Sequence, residues 1–360
     1  MNRPSLFAPS PPVAQPPPRA LSGWRARLAS DPIPRLLREG TPSVLARVRR
    51  DLIDDSEAPN AEEIAGYPEV RALLRKLDKD GSFAPRAPEK ELGGPKFARC
   101  LATVRCLDRL ADLGLRVEGK SPVAQQLHKI ANYLLTSQDN NGGIGDLALA
   151  ENPKGRGKTP ALHFQGWALS ALCRAGFENE VGVEKGFRFL LSLRQDDGGW
   201  AWRGVRTGSA ARPSSHLITG MVLRAFASSK DRRGSREARR AAELLATRFL
   251  QPDRYDDRKA PSYWEILTEP RFYTDVLDAL DTITGIGLGK ENSGVRTAEA
   301  YLRSRQAKDG LWYPGTPVKG DSALSRGPLR ETAKSPKDAK DVAEAIGLTL
   351  RVLVVLRKIN

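Results

Sequence analysis

The sequence predicts an all-α fold built from about six helical hairpins, and three observations carry that prediction. A short marker recurs five times along the 360 residues, at Asp78, Gln138, Gln195, Gln251 and Gln306, with spacings of 60, 57, 56 and 55. The helix running into each marker is amphipathic: Leu127, Ile130, Ala131 and Leu134 fall at i, i+3, i+4 and i+7 and form one apolar stripe. The helices that follow the markers share a second register, Leu107, Leu169, Leu223 and Leu277, and are apolar on more than one face. The first set reads as outer helices and the second as inner helices buried all round.

Taken in chain order, residues 1–20 hold seven prolines, which disfavour helix and cannot build a core, so a disordered tail is expected ahead of a single domain over 21–360. A short hairpin, 33–39 followed by 42–54, precedes the marked repeats and makes the sixth. Inner helices are expected near 96–114, 159–175, 215–228, 270–284 and 337–357. Helix starts, outer as well as inner, are signposted by Thr41-Pro42, Ser121-Pro122, Thr159-Pro160 and Ser335-Pro336, because a hydroxyl at the cap accepts an orphan N–H and proline is tolerated at the first helical position. The C-terminal run from Val342 to Leu356 leaves almost no polar side, which places it inside.

Composition narrows the function classes. Lys and Arg number 58 against 43 Asp and Glu, a net charge of +15, and 40% of residues are apolar, which excludes disorder throughout. Three cysteines, Cys100, Cys106 and Cys173, form neither a disulfide framework nor a CxxC zinc pair and read as core thiols. No run approaches the ~18 apolar residues of a membrane span, and the N-terminus lacks a secretory h-region. A reducing, cytoplasmic setting is the expectation. The sequence carries no nucleic-acid recognition motif.

The marker segments themselves, Gln195-Asp-Asp-Gly198-Gly-Trp200 and Gln306-Ala-Lys-Asp-Gly310-Leu-Trp312, resemble the QW motif of the squalene-cyclase and prenyltransferase repeat superfamily. Asp31-Pro32 to Asp51-Leu52, Pro270-Arg-Phe-Tyr-Thr-Asp275 and Thr349 to Leu356 are also similar to bacterial terpenoid-cyclase-like proteins of uncertain function. The resemblance spans residues 31–360 and implies an α/α toroid. It further implies that Gln195 with Trp200, and Gln306 with Trp312, are structural pairs tying adjacent outer helices together. Ile144, Pro252 and Phe83 depart from the pattern, so uneven clamping is expected.

The chemistry of that superfamily is not written in this chain. Protonation-driven cyclases need a DxDD cluster, and Asp51-Leu-Ile-Asp54-Asp55 and Asp253-Arg-Tyr-Asp256-Asp257 each have one residue too many. The sequence has no DDxxD, no Asp, Cys and His zinc set and no Cys-Gly-Glu-Gln thioester, and no cofactor or metal is expected; His128 falls on an outer helix. Topology supplies the remaining candidates, since the N-termini of the inner helices should converge on one mouth. Their first turns contribute His163, Phe164 and Trp167, then His216, then Phe272, Tyr273 and Asp275. Asp275 takes the register position of Trp167 and Met221, and a carboxyl buried among aromatics there is the candidate acid. The mouth loops are basic, with thirteen Lys or Arg, among them Arg203, Arg212 and Arg330, against five acids, and Arg271 lies beside them.

Two readings stay open. In the first the toroid holds an apolar, isoprenoid-like ligand in its central cavity with an anionic head, phosphate or diphosphate, at the basic mouth, as a non-standard terpene cyclase or prenyltransferase-like enzyme. In the second it is a noncatalytic scaffold whose basic surface binds a protein partner, an anionic lipid surface or, least expected, nucleic acid.

Overall fold

The computed structural model describes residues 23–54, 59–90, 94–145, 150–151, 158–159, 162–201, 213–267, 273–315 and 339–359. The hairpin α1 (Ile33–Glu39) and α2 (Pro42–Leu52) leads into α3 (Ala61–Ala65), α4 (Pro68–Leu74) and α5 (Ala87–Lys90). The chain continues through α6 (Pro95–Asp112), α7 (Pro122–Thr136), α8 (Leu162–Arg174), α9 (Val181–Ser192), α10 (His216–Ser228), α11 (Arg236–Ala246), α12 (Val276–Gly285), α13 (Ser293–Ser304) and α14 (Ala339–Ile359). The two-residue antiparallel pair Ala150–Glu151 with Lys158–Thr159 is the sole named sheet among the described residues.

Helices α2, α6, α8, α10, α12 and α14 form the inner wall. Successive members pack side by side from α6 to α14, α14 packs back on α2, and Arg47 of α2 donates to the Asp112 carbonyl at the end of α6, so the wall closes into a ring. Each is flanked by the outer helix that precedes or follows it, giving the α/α toroid. Leu107, Leu169, Leu223 and Leu277 are buried to within 1%, as is the outer stripe Leu127, Ile130, Ala131 and Leu134. Thr41 and Ser121 cap α2 and α7 with proline at the first turn. Two expected starts differ: Thr159 is the end of a strand and α8 begins at Leu162, while α12 begins at Val276 with Asp275 as its cap instead of at Pro270. Asp275 ends its own extended backbone by accepting the Asp278 N–H, and a helix cannot run through its cap. Residues 1–22 and the Ser335-Pro336 start lie outside the described residues.

The repeat loops show why Gly and an apolar residue recur. Gly81 has φ +88°, and a Cβ there would lie 2.2 Å from the Lys129 carbonyl oxygen of the next outer helix, so only glycine fits both the left-handed conformation and the close approach. The residue ending four of the five markers, Phe83, Ile144, Trp200 or Trp312, donates its backbone N–H to an inner-helix side chain: Thr103, Gln165, Thr219 and Thr349 respectively, at 2.9–3.1 Å. This bond repeats around the ring even where tryptophan is replaced.

The Gln and Trp pairs divide their roles differently from the expectation. Trp200 and Trp312 are fully buried, but their indole N–H groups return to Leu190 and Leu302 of their own outer helices, at 2.8 and 2.6 Å. The glutamines make the crossing: Gln138 reaches Gly182 at the start of α9, and Gln306 bonds Ala29 and Ser30, so the end of α13 is joined to the segment leading into α1. Among the described residues the Gln195 side chain bonds the Leu193 carbonyl alone, and Arg240 of α11 reaches the Asp196 carbonyl instead.

Candidate functional site

All six inner helices run the same way, so their C-termini converge on one end of the ring. At that end lies a cavity of about 900 Å³ walled by the C-terminal halves of α2, α6, α8, α10 and α14, by α12 from its first turn to its last, and by the turns beside them. Its lining holds ten Lys or Arg against six Asp or Glu, a surplus of positive charge in a concave space. Converging helix C-termini present negative partial charge, and part of the basic lining answers it: Arg50, Arg174, Arg357 and Lys358 stand in the last turns of their helices.

The floor of the cavity is an ion-pair network. Buried Asp108 accepts from Trp167 at 2.9 Å, from Arg174 at 2.7 Å and from Arg224 at 3.1 Å, which binds α6, α8 and α10 together. Arg174 also pairs with Asp112. Burial would raise the Asp112 carboxyl, but Arg174, then Arg351, Arg47 and Arg224, overcome it and hold the group well below the usual carboxylate range. Arg351 of α14 donates to Asp278 of α12 at 2.5 Å and to the Leu267 carbonyl at 3.1 Å. Lys358 pairs with Asp281 at 2.6 Å and, against the effect of burial, lowers its pKa. The buried Nη1 of Arg224 has no hydrogen-bond partner among the described residues.

The rim is less balanced. Arg116, Lys230 and Arg233 are exposed at the mouth, and their side chains have no ion pair or hydrogen bond among the described residues. Partial burial, then the neighbouring Arg50 and Arg174, lower the pKa of Arg116. Ile64, Ala111, Leu277, Val354 and Val355 supply an apolar share of the wall.

The residues put forward for the site lie mostly at the opposite end, and none of the described ones lines this cavity; Asp51, from the cluster with one residue too many for DxDD, does. Phe164 packs on Phe97 with ring centroids 5.3 Å apart, and the Trp167 indole is held by Asp108. His216 stacks flat on Trp264 at 4.5 Å, with its backbone N–H on Asp253 at 3.0 Å. Tyr273 meets Tyr263 edge-on at 4.9 Å. Burial pushes both His163 and His216 down to about 4, with Arg258 adding to the effect at His163 and Asp253 opposing it at His216. Asp275 is buried in the wall, with Oδ1 accepting from Asp278 N at 2.8 Å and Oδ2 from Leu267 N at 3.0 Å. Burial and then Asp278 raise it to about 7, against the pull of Arg351. Arg212, Arg271 and Phe272, and most of the basic mouth loops, lie outside the described residues.

No protein-family model matches this chain, and no curated protein is similar to it. Solved structures do resemble it. The type II terpene cyclase MstE from Scytonema, in complex with merosterolic acid A, is 16% identical with a TM-score of 0.41, over 87% of this chain and 85% of that one. The same cyclase with geranylgeranyl dihydroxybenzoate, its substrate, is 15% identical with a TM-score of 0.42 over the same shares. A protein from Actinoplanes is 15% identical with a TM-score of 0.32, over 83% of this chain and 99% of that one. Likeness at this level says nothing about the chemistry of this chain.

A signal for the cavity was present in the sequence. One step past the leucine register stand Asp108, Ser170, Arg224 and Asp278, and four further on Asp112, Arg174, Ser228 and Thr282. These two polar rows face the axis. They were hidden by the apolar residues on either side, which made the inner helices read as buried all round. Among the described residues, no group of three or more His, Cys, Asp or Glu is placed to hold a metal, and no helix is long and apolar enough to cross a membrane.

Proposed function

We propose that this chain binds an anionic small molecule in the axial cavity at the C-terminal end of its inner helices. The observation that carries this is the surplus of ten basic over six acidic side chains in one concave lining, with three of the basic groups unpaired at its rim. A volume of about 900 Å³ suits a ligand larger than a bare ion. The apolar wall formed by Leu277, Val354 and Val355 is the place for its hydrocarbon portion, and an isoprenoid-like chain is the class that the repeat resemblance implies. The floor acts as a rigid support: its arginines are already paired, so they present fixed dipoles and little conformational entropy is lost on binding. Asp275 has both carboxyl oxygens engaged by backbone N–H groups, an arrangement that favours binding over acid catalysis at that residue.

The test is native mass spectrometry of the full chain as purified, followed by denaturation and identification of any released compound. An anionic amphiphile carried at unit stoichiometry supports the reading. A protein partner carried in its place, with the cavity arginines protected from chemical modification only in that complex, would support the scaffold reading.

A further inference from the structure

We propose that the corner of the cavity where α2 meets the end of α6 is a phosphoryl-binding subsite, with Arg116 making the direct contact and Arg47, Arg50 and Arg174 supplying the surrounding positive field. This rests on the ligand-binding reading above and adds both the head-group class and its place.

Four guanidinium groups converge there from three elements. Arg47 donates to the Asp112 carbonyl at 3.2 Å, and Arg174 holds the Asp112 carboxylate. Arg50 Nη1 lies 3.6 Å from where a Cβ of Gly114 would stand, and Gly114, at φ +99°, turns the chain toward Arg116 two residues later. The acids available are Asp51, shared by Arg47 at 3.2 Å and Arg50 at 2.7 Å, Asp112, and Glu118, which accepts the Ala61 N–H at 3.3 Å.

Three of the four arginines have structural work. Arg47 satisfies a carbonyl at the end of α6, a common task for a basic residue at a helix C-terminus. Arg50 and Arg174 neutralise Asp51 and Asp112. Arg116 does none of this. It is held on a turn, beside two other guanidiniums that repel it, with no side-chain hydrogen bond or ion pair among the described residues. Asp51 and Glu118 offset that repulsion only in part; like charges in excess of the acids beside them are relieved by an anion, and a guanidinium fork matches the oxygens of a phosphoryl group with paired N–H donors. The positive surplus of the whole lining favours a multiply charged head over a single carboxylate, and Lys230 and Arg233 at the rim extend it.

The test is calorimetric titration of the full chain with inorganic pyrophosphate and, separately, citrate at low ionic strength, using the parent, Arg116→Gln and Arg233→Gln. Both substitutions fall on exposed, unpaired side chains, so unchanged melting of the free proteins is the control for folding. Pyrophosphate should bind the parent, with affinity falling about tenfold in Arg116→Gln and about threefold or less in Arg233→Gln. Binding that survives Arg116→Gln but fails in Arg233→Gln would overturn the subsite and leave the cavity reading standing. Citrate binding without pyrophosphate binding would overturn the phosphoryl assignment alone. If neither anion binds in the millimolar range or below, both readings fall.

Discussion

The Trp167 indole nitrogen donates to Asp108 Oδ2 at 2.9 Å, and the same buried carboxylate pairs with Arg174 and Arg224. One side chain on α6 therefore fastens α8 and α10 beneath the cavity. Asp108→Asn removes the charge while keeping the shape, leaving two guanidiniums short of compensation. A loss of about 3–5 kcal/mol is expected in urea denaturation. A loss under about 1 kcal/mol would show that Asp112 carries the network alone.

Ring closure should depend on Gln306 more than on Gln195. The Gln306 amide accepts from Ala29 N at 2.8 Å and donates to the Ser30 carbonyl at 2.7 Å, across nearly the whole chain length, whereas the Gln195 amide bonds a carbonyl two residues away. Gln306→Ala should cost about 1–3 kcal/mol and Gln195→Ala clearly less, read from denaturation midpoints. Equal losses would remove the closure role.

Trp200 is fully buried against Phe226, with ring centroids 5.8 Å apart, and its N–H is satisfied by Leu190. Trp200→Ala should cost about 3–5 kcal/mol. Trp200→Phe keeps much of the packing and should cost less, the remainder reporting the Leu190 bond. An unchanged melting temperature in Trp200→Ala would show that the tryptophan is vestigial in this repeat.

Asp275 and the two buried histidines make opposite contributions to the dependence of stability on pH. The Asp275 carboxyl is raised to about 7 by burial and Asp278, so its contribution is complete below the unfolded value near 3.8 and is lost as pH rises toward 7. His163 and His216, lowered to about 4 by burial, stabilise the fold above the unfolded value near 6.5, and that stability is lost as pH falls toward 4. The parent curve sums these effects. Chemical denaturation of the parent and Asp275→Asn from pH 4 to 8 separates them: the advantage of the parent should shrink steadily as pH rises. A constant difference across that range would mean Asp275 is ionised throughout.

The ring was legible because its causes are local. A marker with near-constant spacing, a stripe at helical period and hydroxyl caps such as Thr41 and Ser121 each act within a few residues, so the hairpins can be read along the chain. The same locality misplaced the start of α12, since Pro270 signals a helix start as strongly as Asp275 does until the bond to Asp278 is seen.

The charged character of the cavity at the C-terminal end is not a local property. Asp108 meets partners 59, 66 and 116 residues away, and Arg351 meets Asp278 at a separation of 73. Repeat periodicity brings inner helices together but leaves open which side chains meet at each converging end. Aromatic residues such as His216 on Trp264 and Tyr273 on Tyr263 pack against one another at the N-terminal end. Ion pairs at the C-terminal end require polar partners and room for them, because charge there is tolerated only when paired or solvated. The hairpins, their caps and their order around the ring belong to the sequence. The charged axial cavity belongs to the tertiary structure, because burial and pairing are set by residues that meet only once the ring has closed.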